Sequence, residues 1–172
     1  MRSTTPALDE AERDDFPGDR DSLLRSLEKI AAIEARFTEC FYEIFFGRRP
    51  DTLPLFGLHS ISEREEMMRE TLHSLHALAQ GESWLTGNLA ALGKSHVEYG
   101  VTADMYDSYC DAMVDCARQT LEEPLSDVES AALRLAIVEV ARRMSATPVI
   151  VRSDPSDPSG SQSRTVRDHY TV

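Results

Sequence analysis

The feature that most limits what this chain can become is a recurrence of apolar residues every three or four positions, sustained from Leu23 to Met144. Leu23, Leu24, Leu27, Ile30 and Ala31 keep that spacing, as do Phe37, Cys40, Phe41, Ile44 and Phe45, and then Met68, Thr71, Leu72, Leu75, Leu78 and Ala79. A period near 3.6 puts such residues on one face of a helix, whereas a half-buried strand needs strict alternation. Leu85, Leu89, Leu92 and His96 continue the pattern at spacings of four, three and four. Tyr106, Tyr109, Cys110, Met113 and Cys116 form a further stripe, and Leu133, Ile137, Val140 and Met144 the last. Only PVIV near residue 150 alternates, and no internal repeat of fixed length is present. The chain is predicted to be all-α.

Punctuation between the stripes agrees with this. Gly47 and Pro50 end the second helix, and PDTLPLFGLH, with two prolines and a glycine, reads as a connection. Ser60 with Glu63, and Ser126 with Glu129, have the S-x-x-E spacing of a capping box, while Thr102 is placed to cap the helix after Gly100. Gly81 is a natural stop. Residues 1–19 and the Ser/Pro/Asp-rich residues 151–172 show no sustained period and are expected to be disordered tails around one domain at 20–150. Removing residues 1–18 and 154–172 is expected to leave stability unchanged.

A formal net charge of −12 and a pI near 4.8 repel phosphate backbones and anionic membrane surfaces, which argues against nucleic acid and membrane partners. No segment offers the roughly 20 uninterrupted apolar residues that span a bilayer, and the acidic N-terminus has no apolar leader core. A cytoplasmic location is expected. Cys40, Cys110 and Cys116 contain no C-x-x-C pair and read as buried thiols rather than a disulfide framework or a zinc site.

Catalysis by side chains alone finds little support, because G-x-S-x-G, H-E-x-x-H, P-loop and G-x-G-x-x-G are all missing. His73 and His76, three apart, lack a clear third metal ligand and read as a solvated face. The consecutive Glu65 and Glu66 do not share a helical face and read as solvated charge. His96 differs, since it lies on the apolar stripe. An inward histidine is most often a core residue with its ring nitrogens satisfied by carbonyls. It makes better chemical sense beside a large apolar cofactor that brings its own metal ligands, as haem does, leaving the iron in need of one imidazole and one open face for a gas.

The stretches FTECFYEIFFGRRPDTLPLF, EREEMMRETL and LGKSHVEYGV, in that order, closely resemble the globin family, in particular bacterial single-domain globins and the haem domain of flavohaemoglobins. The pair Phe41–Tyr42 is followed by Pro50 eight residues after the tyrosine and by Phe56 six further on, and His96 precedes Tyr99, Gly100 and Val101. The resemblance covers about residues 20 to 147 and implies a three-on-three helical sandwich around haem b. It implies His96 as the iron ligand, and Phe56, Arg64, Met68, Leu92, Val101 and Tyr106 as cofactor contacts. Tyr42, Arg64 and Met68 fall at the gas-binding face.

Tyr42 takes the position of a tyrosine whose hydroxyl donates to bound oxygen; as a plain core tyrosine it would bond to the backbone instead. Arg64 stands where the family usually has glutamine or histidine and could reach the ligand, pair with a haem propionate or swing into solvent; His59 is a further candidate in the connection. Because Glu63, Glu65 and Glu66 surround Arg64, Tyr42 is expected to be the stronger donor to a bound ligand. The flavohaemoglobin glutamate of the last helix has no counterpart in SATPVIV, so the Leu92 carbonyl is the expected partner of His96, which favours reversible gas binding over peroxidase-like chemistry. The function implied is binding of dioxygen, and also of nitric oxide or carbon monoxide. Turnover of nitric oxide to nitrate would need a separate reductase. A sensor or interaction module without turnover is the alternative, and a homodimer is left open.

Overall fold

The computed structural model describes residues 16–56 and 61–145, which form seven α-helices and one 3₁₀ turn without a strand among them. The regular structure of the described residues is all helical, in keeping with the apolar periodicity. Helix α1, Arg20–Ala31, starts where the Asp19 carboxylate accepts the Ser22 backbone N–H at 2.6 Å, and it buries Leu23, Leu27 and Ile30. Helix α2, Glu34–Arg48, buries Phe37, Phe41, Tyr42 and Phe45. Pro50 cannot continue it and instead opens the 3₁₀ turn Pro50–Thr52, followed by the single turn α3, Leu53–Phe56.

Helix α4, Ile61–Gln80, stops at Gly81, whose φ of +68° only glycine adopts cheaply. Helix α5, Leu85–Glu98, ends in the same way before Gly100 at φ +82°. Helix α6 is Ala103–Thr120 and α7 is Asp127–Ser145. Both halves of the Ser126–Glu129 capping box form: the Glu129 carboxylate accepts the Ser126 N–H at 2.8 Å, and the Ser126 hydroxyl accepts the Glu129 N–H at 3.2 Å. Thr102 has the extended backbone of a cap, but its hydroxyl donates to the Asp104 carboxylate instead of serving the helix. Ser60 and PVIV lie outside the described residues.

The helices stack in layers. Helices α6 and α7 pack on each other; α2 lies on α6, α1 and α5 lie on α7, and α4 crosses α1 and α7. Helices α4 and α5 follow one another in the chain yet touch each other only sparsely. The core runs from Phe37, Phe41, Met68 and Leu75 to Met113, Leu133 and Ile137. Cys110 and Cys116 are buried thiols, whereas Cys40 is only half-buried. Among the described residues, no helix is long and apolar enough to cross a membrane.

One part of the core precedes the first helical stripe. Phe16 is 4% exposed and belongs to the central cluster, its ring folded back over Gly18 beside Leu135. A side chain at Gly18 would stand 2.5 Å from that ring, so the glycine is what allows the return. The packed unit therefore begins at or before Phe16, ahead of the boundary expected at residue 20.

Candidate functional site

Helix α5 presents His96 one turn beyond Leu92, and the two meet: Nδ1 of His96 lies 2.8 Å from the Leu92 carbonyl oxygen. A carbonyl can only accept, so in the neutral ring Nδ1 carries the proton and Nε2 keeps a free lone pair. Nε2 has no hydrogen-bond partner among the described residues. The imidazole is half-buried and stacks against the Tyr106 ring, with centres 6.1 Å apart and planes 25° apart. Burial raises the pKa of the Tyr106 hydroxyl. Leu92 is half-buried against the core; Val101, at the start of the next connection, is half-buried, and its N–H donates to the His96 carbonyl at 2.9 Å. The His96 ring thus meets the Leu92 carbonyl and the Tyr106 ring, while Val101 is tied to the His96 backbone.

The position of this ring depends on a residue that carries no chemistry. Gly93 is buried where α5 meets the end of α7, and a Cβ there would lie 2.0 Å from the Met144 carbonyl oxygen. The missing side chain lets α5 lie against α7. Periodicity gives no sign of this, because a glycine inside a helical stripe looks neutral until its neighbour is known.

A second group gathers where α2 meets α4. Tyr42, Phe45, Phe46 and Phe56 form an aromatic cluster, with Phe46 and Phe56 ring centres 5.3 Å apart and Tyr42 and Phe56 5.7 Å apart. The Tyr42 hydroxyl donates to the Arg64 carbonyl at 3.2 Å. Burial holds its pKa far above that of a free phenol, so it remains a donor. Met68, one turn along α4 from Arg64, is fully buried. Nearby, the deeply enclosed Tyr109 hydroxyl is 3.0 Å from that of Thr71, and burial pushes its pKa up to about 12.

Arg64 is not placed as its acidic neighbours in the sequence imply. Its guanidinium carbon lies 5.6 Å from the Phe46 ring centre and 6.0 Å from that of Tyr42. No carboxylate among the described residues pairs with it, and Glu66 is engaged by Arg69 instead. Its Nε is buried without a hydrogen-bond partner. The Tyr42 hydroxyl is thus engaged by the backbone, as a plain core tyrosine would be, whereas the Arg64 Nε is buried without a partner. Phe46, which carries the cation, was not among the residues singled out by sequence, because the contact joins side chains from two different helices.

The remaining candidates stay apart from both groups. His73 and His76 are exposed, and His73 stacks on Trp84 with ring centres 4.9 Å apart. Among the described residues no three His, Cys, Asp or Glu side chains converge as a bare metal ion would need. His59 lies outside the described residues. What the described residues can offer is one imidazole nitrogen of fixed tautomer, an apolar and aromatic wall, and a cation without a counter-ion. Such a set fits a macrocycle that brings its own equatorial ligands and carries acidic substituents or an anionic axial ligand. No protein-family model matches the chain, and no curated protein matches it.

Proposed function

We propose that this chain is a haem-binding globin that reversibly binds a small gas, dioxygen first and also nitric oxide or carbon monoxide. The observation that carries the reading is His96, whose Nδ1 is committed to the Leu92 carbonyl and whose Nε2 lone pair is unengaged. Haem, when bound, supplies four equatorial nitrogens and an iron that accepts one axial imidazole and a gas molecule. The helix arrangement supports the same reading. In a globin, helices pack pairwise around a haem pocket, and here the consecutive α4 and α5 are each held mainly by other helices, with sparse contact between the two.

Each residue then has a task. Leu92 fixes the His96 tautomer, and Tyr106 restrains the plane of the imidazole by stacking on it. Phe56 and Met68 offer apolar surface that excludes water. Tyr42 ties the Arg64 backbone to α2 and so fixes the first turn of α4. The partner of Nδ1 is a neutral carbonyl, not a carboxylate that would increase electron donation, and this favours reversible binding over oxidative chemistry. Oxidative turnover of nitric oxide would require a separate reductase as electron donor.

The test is His96→Ala. Haem affinity should fall steeply and return in part when free imidazole is added, because the added ring replaces the missing ligand. Unchanged haem affinity in the variant would place the ligand elsewhere.

A further inference from the structure

Helices α2 and α6 pack antiparallel, and named contacts give their register. The Cys116 thiol donates to the Phe37 carbonyl at 3.3 Å, the Phe41 and Tyr109 ring centres lie 4.6 Å apart, and the Arg49 guanidinium binds the Asp104 carboxylate at 2.7 Å. Numbers rise along α2 as they fall along α6. Cys40, one turn past Phe37, therefore falls beside the turn of α6 that carries Cys116, and the two thiols come within hydrogen-bonding reach of each other. Cys116 is wholly buried, whereas Cys40 is half-buried and partly open to solvent.

We infer that Cys40 and Cys116 form a redox-active dithiol, which a small peroxide oxidises to a disulfide that ties α2 to α6. The inference is independent of the haem reading, which uses neither cysteine. An accessible thiol beside a second, resolving thiol is the arrangement that peroxide chemistry needs. The Cys40 thiolate attacks one peroxide oxygen: an S–O bond forms, the O–O bond breaks, and the departing hydroxide takes up the thiol proton as water. Cys116 then attacks the sulfur of the Cys40 sulfenic acid; the S–S bond forms, the S–O bond breaks, and the Cys116 proton leaves with the hydroxyl as a second water. Two electrons pass from the two thiols to the peroxide, so the balance closes without a further reactant. Burial pushes the Cys116 thiol pKa up, which keeps that sulfur protonated and assigns the first step to Cys40. Cys110 is turned towards α7 instead, where its thiol donates to the Arg134 carbonyl at 3.8 Å.

The test reduces the full chain, removes the reductant, adds a small excess of hydrogen peroxide, and maps the denatured product by mass spectrometry. Two of the three thiols should disappear, the mass should fall by two hydrogens, and the cross-linked peptide should contain Cys40 and Cys116. Because the bond closes a long loop and so restrains the unfolded chain, the melting temperature without reductant should rise by about 5–15 °C, and dithiothreitol should reverse the rise. Cys40→Ser, a change at the half-buried position, should show no rise, and Cys110→Ser should respond as the wild type does. Survival of all three thiols overturns the inference. So does Cys40 driven to a sulfinic acid while Cys116 stays free, a disulfide that joins two copies through Cys40, or a rise retained in Cys40→Ser.

Discussion

Gly93→Ala should destabilise this protein although alanine is the better helix former. The new Cβ would lie 2.0 Å from the Met144 carbonyl oxygen, 2.7 Å from its carbonyl carbon and 3.0 Å from its Cα. These are backbone atoms near the end of α7, so no side-chain rotation relieves the clash. Ordinary contact begins at 3.4 Å, and α5 must therefore retreat by about 1.4 Å. Retreat loosens Leu85 and Leu89, each only 1% exposed. Overpacking of this kind costs about 1–3 kcal/mol and more where backbone must move, against a helix-propensity gain of about 1 kcal/mol. The net expectation is a loss of about 2 kcal/mol, or roughly 5–10 °C in melting temperature for a domain of this size. Gly87→Ala, on the same helix, is the matched control, because nothing lies within 4 Å of its Cβ. That change should stabilise by about 0.5–1 kcal/mol. Urea and thermal unfolding of the three proteins, as apoproteins, measure both effects. A Gly93→Ala protein as stable as Gly87→Ala would refute the close approach of α5 to α7.

Three further outcomes follow from particular contacts. Truncation that removes Phe16 should lower stability by about 2–4 kcal/mol, the cost of emptying a large buried aromatic site near a chain end, as read by urea unfolding; an unchanged midpoint would mean that the ring does not pack. The Glu129 carboxylate is held below its usual pKa by the Ser126 backbone N–H first and then by the Ser126 hydroxyl and Lys29, so the stability it adds is present above the ordinary glutamate range and lost as pH falls through the depressed folded value. Glu129→Gln should accordingly be less stable than wild type at pH 7, with the difference shrinking on acidification; a gap that widened in acid would contradict that sign. Tyr42→Phe should cost only about 0.5–1.5 kcal/mol of stability, the worth of one hydrogen bond, and should change oxygen dissociation less than Arg64→Leu does in stopped-flow measurements.

The helices were legible because their signals are local. Leu85, Leu89, Leu92 and His96 announce α5 by spacing alone, and Ser126 with Glu129 announces the start of α7. The His96–Leu92 contact joins positions four apart on one helix and was readable for the same reason. What stayed hidden depends on two segments meeting. Phe16 lies beyond Pro17 and Gly18, outside any periodic run, and only its partner on α7 shows that it is core. Arg64 stands among glutamates in the sequence, which points to solvent, yet Phe46 from α2 draws its guanidinium over an aromatic face. Gly93 reads as an ordinary helix residue until Met144 is placed against it.

The central claim is that His96 Nε2 binds a haem iron. The absorption spectrum of the purified full chain after addition of haemin and dithionite, before and after carbon monoxide, tests it most directly. The account predicts stoichiometric uptake, a histidine-ligated ferrous spectrum and a sharp carbon monoxide complex, all lost or altered in His96→Ala. Haemin that stays unbound, or identical spectra from the wild type and His96→Ala, would contradict it.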